Sequence, residues 1–293
     1  STSAFRPAGP ADYGLLLLLA AVWGGSFMLI KIGVESVPAL PLTALRMAIA
    51  AVFMWVLAMI VGERLPRGAH VWGTIALAAL FGNALPFLLI SWGEEVIESG
   101  HAAILMSPMP LVTMILAHLL TADEKLTPGK LAGVGLGVAG LIILIGPDKL
   151  WNFGGDIVRQ LAVTAAGCCY AVNAVVSKRL VGLPQFGLVA AVMIAGAAML
   201  APFALLLDSP WLLQPTARSL TAIAILAIVQ SALGTILLFV IVRRQGASFF
   251  AQINFFVPLF GVLWGALVLA ERPSANAYLA LAVILIGVGI ARK

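Results

Sequence analysis

Long apolar runs alternate along the chain with short segments that hold most of the charged residues. The stretches free of Asp, Glu, Lys and Arg are 13–30, 47–62, 71–93, 99–122, 131–147, 160–177, 180–207, 219–242, 245–270 and 273–291. A helix needs roughly 20 mostly apolar residues to cross the hydrocarbon core. The pattern therefore predicts an all-α membrane protein of ten transmembrane helices. The runs 47–62 and 131–147 are slightly short, and each extends by a turn if Arg46 or Lys130 reaches along the helix to the interface. Pro41, Pro128, Pro184 and Ser274 mark helix starts. The first run does not read as a signal peptide, because Arg6 lies far upstream, no small-residue cleavage site follows, and further spans come after it. The connections are short and leave no room for a soluble domain.

Composition agrees with this pattern. Of 293 residues, 62% are hydrophobic and 10% charged, and the mean hydropathy is +1.10; a soluble fold of this length lacks the polar groups to cover itself. The formal charge of +5 is spread singly and in pairs, so no basic patch for nucleic acid can be assembled. Cys168 and Cys169 are adjacent, where a disulfide is strained. Basic residues also orient the chain. Arg6, Arg64, Arg67, Lys125, Lys130, Lys178, Arg179, Arg243, Arg244, Arg292 and Lys293 fall on one side, and only Lys149, Arg159, Arg218 and Arg272 on the other. The richer side is expected in the cytoplasm with both termini. The acidic connection Glu94-Glu95-Val96-Ile97-Glu98 is expected to face outward.

Shifting the chain by 147 residues places Trp23 on Tyr170, Lys31 on Lys178, Asn83 on Gln230, Glu124 on Glu271 and Gly140 on Gly287. Each half, 1–147 and 148–293, then holds five spans. Five is odd, so the second copy enters the membrane from the opposite side, as an inverted repeat. The segment Ala21-Val22-Trp23-Gly24-Gly25-Ser26-Phe27, with the late patterns Pro110 through Glu124 to Gly140 and Pro258 through Glu271-Arg272 to Gly287, resembles the drug/metabolite transporter superfamily in its ten-helix form of two EamA-type halves. Within it the chain looks most like the YddG-type amino-acid exporters. The resemblance implies a multi-pass protein of a bacterial inner membrane that moves substrate outward, by alternating access, through a central cavity between the halves. Nucleosides, polyamines, drugs and other metabolites stay open as substrates. Outside transport, a membrane scaffold or an intramembrane enzyme stays open too, although an enzyme needs a nucleophile–base pair or paired carboxylates at depth, and none is evident.

Gly135-Leu136-Gly137-Val138-Ala139-Gly140 fits a dinucleotide-binding pattern, but it lies inside an apolar helix, where close helix packing explains it better. His70, His101 and His118 lack metal-ligand spacing, so no metal and no cofactor are expected. More informative are polar side chains in mid-span: Asn83, Ser107, Asn173, Gln230, Ser231, Gln252 and Asn254. Such groups avoid lipid and face the bundle or a cavity. An amide both donates and accepts, which suits a zwitterionic substrate; the alternative is inter-helix bonding worth at most about 1–2 kcal/mol each. Prolines sharpen the choice, because Pro86, Pro108, Pro110 and Pro258 free the carbonyls of Gly82, Ile104, Met106 and Asn254. Asn254 thus joins an amide and a released carbonyl on one turn, while Gln252 points elsewhere and reads as packing.

Trp23, Tyr170, Trp92 and Trp264 are candidate cavity walls, or else interface anchors. Arg46 is expected to reach outward. Lys31 reads as an interfacial anchor that can attract carboxylates at the outer mouth, and His101, close to Glu98, as a titratable switch. Glu124 and Glu271 read as helix-end partners. With no carboxylate expected at depth, flux is expected to run down the substrate gradient without protons. The expected partners are a small-molecule substrate and the lipid bilayer, and the chain is expected to act as a monomer.

Overall fold

The computed structural model describes residues 8–107, 109–112, 115, 128–145, 155–180, 182–250 and 252–291. Arg6, Pro108, His118, Glu124, Lys125, Lys149, Arg292 and Lys293 lie outside them. In chain order the helices are α1 (Pro10–Val34), α2 (Ala39–Val61), α3 (Ala69–Glu94), α4 (Ser99–Leu105), α5 (Pro128–Ile145), α6 (Gly155–Ser177), α7 (Gln185–Leu207), α8 (Ala217–Gly246), α9 (Ile253–Val268) and α10 (Ala275–Ala291). Six of them, α1, α2, α3, α6, α7 and α8, are long and apolar enough to cross a membrane. Leu131–Leu144, Ile253–Val268 and Ala275–Ile290 are shorter apolar helices.

Local chemistry sets the helix starts. Pro38 and Pro184 stand at the N-caps of α2 and α7, where a missing N–H costs nothing. The Thr216 hydroxyl accepts from the Ser219 N–H at the start of α8, and the Ser274 hydroxyl accepts from the Ala277 N–H at the start of α10. Three glutamates do the same work across the fold. Glu95 accepts from the N–H of Ala39 at α2, Glu63 from Gly187 at α7, and Glu271 from Ser99 and Gly100 at α4. Glu271 is thus the helix-end partner that the sequence suggests.

One predicted span is not a single helix. The run 245–270 is interrupted at Gly246, whose φ of 84° lies in the left-handed region that only glycine enters freely. It is interrupted again at Gln252, a turn residue just before α9. In the run 99–122, α4 stops at Leu105, and Met106 and Ser107 form a turn.

The helices pack as α1 on α8 and α9, α3 on α6, α2 on α7, α4 on α9, and α5 on α10. Small residues permit the closest approaches: Gly24 of α1 abuts Phe260 and Gly261 of α9, and Gly287 of α10 abuts Gly133 and Leu136 of α5. The glycine-rich motif is therefore partly explained by packing, since Gly140 presses on Ile284 of α10, while Gly135 faces open space. The connections sort into two groups. One joins Glu35 to Arg218, Ser36 to Thr216, Glu95 to Arg159, and Glu271 to Ser99. The other joins Glu63 to Gly187 and Asp12 to Gln245. These are the two ends of the bundle.

Candidate functional site

Two apolar helices lose their α-helical pitch in mid-span. In α3 the segment Leu80–Ala84 is a π-helix that holds Asn83; in α8 the segment Leu226–Leu233 is another, with Gln230 and Ser231. Pro86 explains the first, because it cannot donate to the Gly82 carbonyl and the ladder shifts so that Leu85 N–H bonds Leu80 O. The second contains no proline. There Gly234 N–H bonds Val229 O, while the Ser231 hydroxyl donates to Leu226 O at 3.0 Å and Thr235 donates to Ser231 O. Side chains thus take over carbonyls that the widened turn releases.

Under the 147-residue shift the turn at Met106 and Ser107 falls on Ile253 and Asn254, just after the turn at Gln252. The shift that aligns Asn83 with Gln230 also carries Ser107 onto Asn254. Ser107, 3% exposed, closes the turn after α4, with its N–H on Ile104 O at 3.0 Å and its hydroxyl on Ala103 O at 3.3 Å. Asn254 is the second residue of α9, two positions past the turn at Gln252. It was expected deep in an unbroken helix; the break at Gly246 and Gln252 puts it in a first turn instead.

Neighbouring helices dock on these interruptions. Trp23 of α1 donates its indole N–H to Gln230 O at 3.2 Å and meets Phe250 edge-on at 6.0 Å. Asn173 of α6 packs against Gly82, within the first π segment, and accepts from Ser177 at 3.1 Å. Trp264 donates to Ala21 O at 3.0 Å and lies over Gly25. Tyr170 is half-buried against the apolar core. Trp92 belongs to one end of the bundle, where the Arg159 guanidinium stacks over it at 3.8 Å.

Charged groups depart most from expectation. Arg46 does not reach outward. It is 3% exposed, its Nε donates to Ser231 Oγ at 3.0 Å, and its guanidinium lies 3.7 Å above the Phe87 ring. Residues on α2, α3 and α8 enclose it because the widened turn of α8 presents a hydroxyl at that depth. Its two terminal nitrogens make no hydrogen bond among the described residues, while Tyr170 and Glu94 lie close enough to feel its charge. Lys31 is committed rather than available, as its ammonium caps the end of α3 through Glu94 O at 2.7 Å and Ile97 O at 2.8 Å. The His101 ring meets Gln160 Oε1 at 3.2 Å.

Glu94 corrects the sequence reading. Instead of facing outward with the acidic connection, it is 0% exposed and both of its carboxylate oxygens lack a hydrogen-bond partner. Lys31 folds over its backbone and seals it beneath the helix end. Among the described residues, Ser91 Oγ and Gln230 Oε1 are also buried without a hydrogen-bond partner. Among the described residues no group of three or more His, Cys, Asp or Glu is placed to hold a metal.

Of the mid-span polar side chains, Arg46, Ser107, Gln230 and Ser231 are buried, while Asn83, Asn173, Gln252 and Asn254 are partly exposed. Two surface concavities lie elsewhere. One is bordered by Leu29, Ile32, Arg218 and Thr221. The other is bordered by Trp55, Met59, Glu63 and Arg67.

Comparison with known proteins adds to this geometry. The model of the EamA-like transporter family matches residues 12–146 and again 160–292. The uncharacterized inner membrane transporter YedA of Escherichia coli K12 is 24% identical over 282 residues, covering 94% of this chain and 89% of that protein. A probable terminal-alkyne amino-acid exporter of Streptantibioticus cattleyicolor is 26% identical over 129 residues, 44% of this chain and 43% of its own. A solved structure, described only as the crystal structure of a protein, shares the fold with a TM-score of 0.66 at 21% identity, over 97% of this chain and 98% of its own.

Proposed function

Because this chain belongs to the EamA-like transporter family, whose members compared above are transporters and not enzymes, we propose that it exports small polar metabolites, amino acids first, from the cytoplasm across a bacterial inner membrane. A transporter implies a small-molecule substrate and a lipid environment. In this reading ten helices form two inverted five-helix halves, 1–147 and 148–293, with both termini in the cytoplasm, and the site between them opens alternately to either side. The halves rock about the interrupted helices, which are the parts of the bundle whose backbone ladders are already incomplete.

The observation that carries the proposal is the pairing of interruptions. Under the 147-residue shift the π segments of α3 and α8 overlap, and the turn at Met106 and Ser107 falls beside the turn at Gln252. Irregular backbone at membrane depth is tolerated where protein or a cavity covers it, and interrupted helices in matching positions of two halves point to a transport site. A scaffold has no need of them. Asn83, Asn173, Gln230, Asn254 and Ser107 line the path in this reading, with Trp23, Tyr170 and Trp264 as walls. Amino acids rank before nucleosides and drugs for two reasons: the amides suit a zwitterion, and one partial relative is named an amino-acid exporter.

Direct excretion tests the proposal. Cells that make the chain should accumulate amino acids in the medium faster than cells that make a transport-dead variant, and should better survive toxic amino-acid analogues. Equal excretion and equal survival across the panel, at equal membrane abundance, would contradict it.

A further inference from the structure

Arg46 and Gln230 are both buried in the bundle and both keep hydrogen-bonding capacity that no described residue uses. Only Nε of Arg46 is engaged, on Ser231, and Ser231 is the neighbour of Gln230 in the second π segment. Gln230 Oε1 is buried without a donor. A guanidinium that is 3% exposed, with its planar pair of terminal nitrogens unoccupied, is costly unless an anion comes to it. Glu94 does not play that part, since its oxygens touch no donor. Phe87 covers one face of the guanidinium, which leaves the edge that carries the terminal nitrogens as the side from which a ligand approaches.

From this we infer that Arg46 forms a binding site for the α-carboxylate group of a free amino acid. The carboxylate takes the two terminal nitrogens of Arg46 in a forked, charge-assisted pair. Ser231 holds the guanidinium in plane from α8, so the anchor spans α2 and the widened turn of α8 and senses any change between them. Lys31, a partly buried cation, is already spent on two carbonyls. The inference rests on the exporter reading for its choice of amino acids, but the site itself does not require transport.

The test separates the two. Purified protein in detergent is titrated with an equimolar mixture of the twenty amino acids and, separately, with the matching amino-acid amides, which keep the ammonium group and lose the carboxylate. The acids should raise the melting temperature, and the amides should need at least about tenfold higher concentration for the same shift, the loss expected for one charge-assisted pair. Arg46→Met should abolish that preference. Arg46→Lys, which keeps the charge without the fork, should bind the acids more weakly than the wild type if Arg46→Met does not fold. No shift with the acids, equal shifts with acids and amides, or an unchanged preference in the folded variant each overturns the site. Labelled amino acids in liposomes then judge the other reading. Binding without flux leaves the site and removes the exporter, whereas flux with no carboxylate preference removes the site and leaves the exporter.

Discussion

A carboxylate sealed in a membrane protein without a donor, as Glu94 is, carries a desolvation cost of several kcal/mol when charged, unless neighbouring charges offset it. The groups that face it are Lys31 from α1, Arg46 from α2 and Glu271 from the connection before α10. None of them bonds its oxygens, so the attraction acts at a distance and offsets only part of the cost. Glu94→Gln should therefore keep the melting temperature in detergent at or above that of the wild type. A fall of more than about 2 °C, on the order of 1 kcal/mol for a protein of this size, would show that the native carboxylate is bonded after all. Glu94 also removes the ground for expecting flux free of protons, since that expectation assumed no buried carboxylate. It was illegible in the sequence because it sits in a run of three glutamates that reads as an outward loop, and only the fold separates Glu94 from Glu95, which caps α2 and pairs with Arg159. Arg46 was misread for a similar reason. Nothing in the sequence announced that Ser231 and Phe87 would enclose it.

At the scale of the helices, the sequence carried starts better than interruptions. Pro41, Pro128, Pro184 and Ser274 lie at or beside the beginnings of α2, α5, α7 and α10, and Pro86 foreshadowed the π segment of α3. The π segment of α8 has no proline, and its only cue was the repeat register that places Gln230 on Asn83. Gly246 was passed over inside an apolar run, though a glycine there is what lets the chain turn before α9. Capping by carboxylates was read for Glu124, outside the described residues, and Glu271, yet α2 and α7 depend on it too, through Glu95 and Glu63. Glu271 accepts from two backbone N–H groups and from the Ser99 hydroxyl at 3.0 Å. Glu271→Gln should lower stability by about 1–2 kcal/mol, the range for a lost cap with its favourable charge at a helix N-terminus. Glu63→Gln, which gives up a single bond at α7, should cost less. Melting temperatures of the two variants rank them, and a larger loss at Glu63 would contradict the assignment.

At the scale of the whole molecule, six of the apolar runs gave helices long and apolar enough to cross a membrane, because in lipid each spanning segment must satisfy its own backbone and so announces itself in composition. The structure groups the connections at two ends in the order that alternation requires. What composition could not give is the state of the site, since packing among buried polar groups depends on partners from distant segments. The account holds that this closed, polar junction of interrupted helices opens to move amino acids. Counterflow tests that most directly: purified protein is placed in liposomes preloaded with unlabelled amino acids, and entry of a trace of labelled amino acid from outside is followed in time. The account predicts transient accumulation of label above the level in protein-free liposomes, lost when the same protein carries Arg46→Met. Label that equilibrates no faster than in empty liposomes, with protein shown to be folded and inserted, would contradict it.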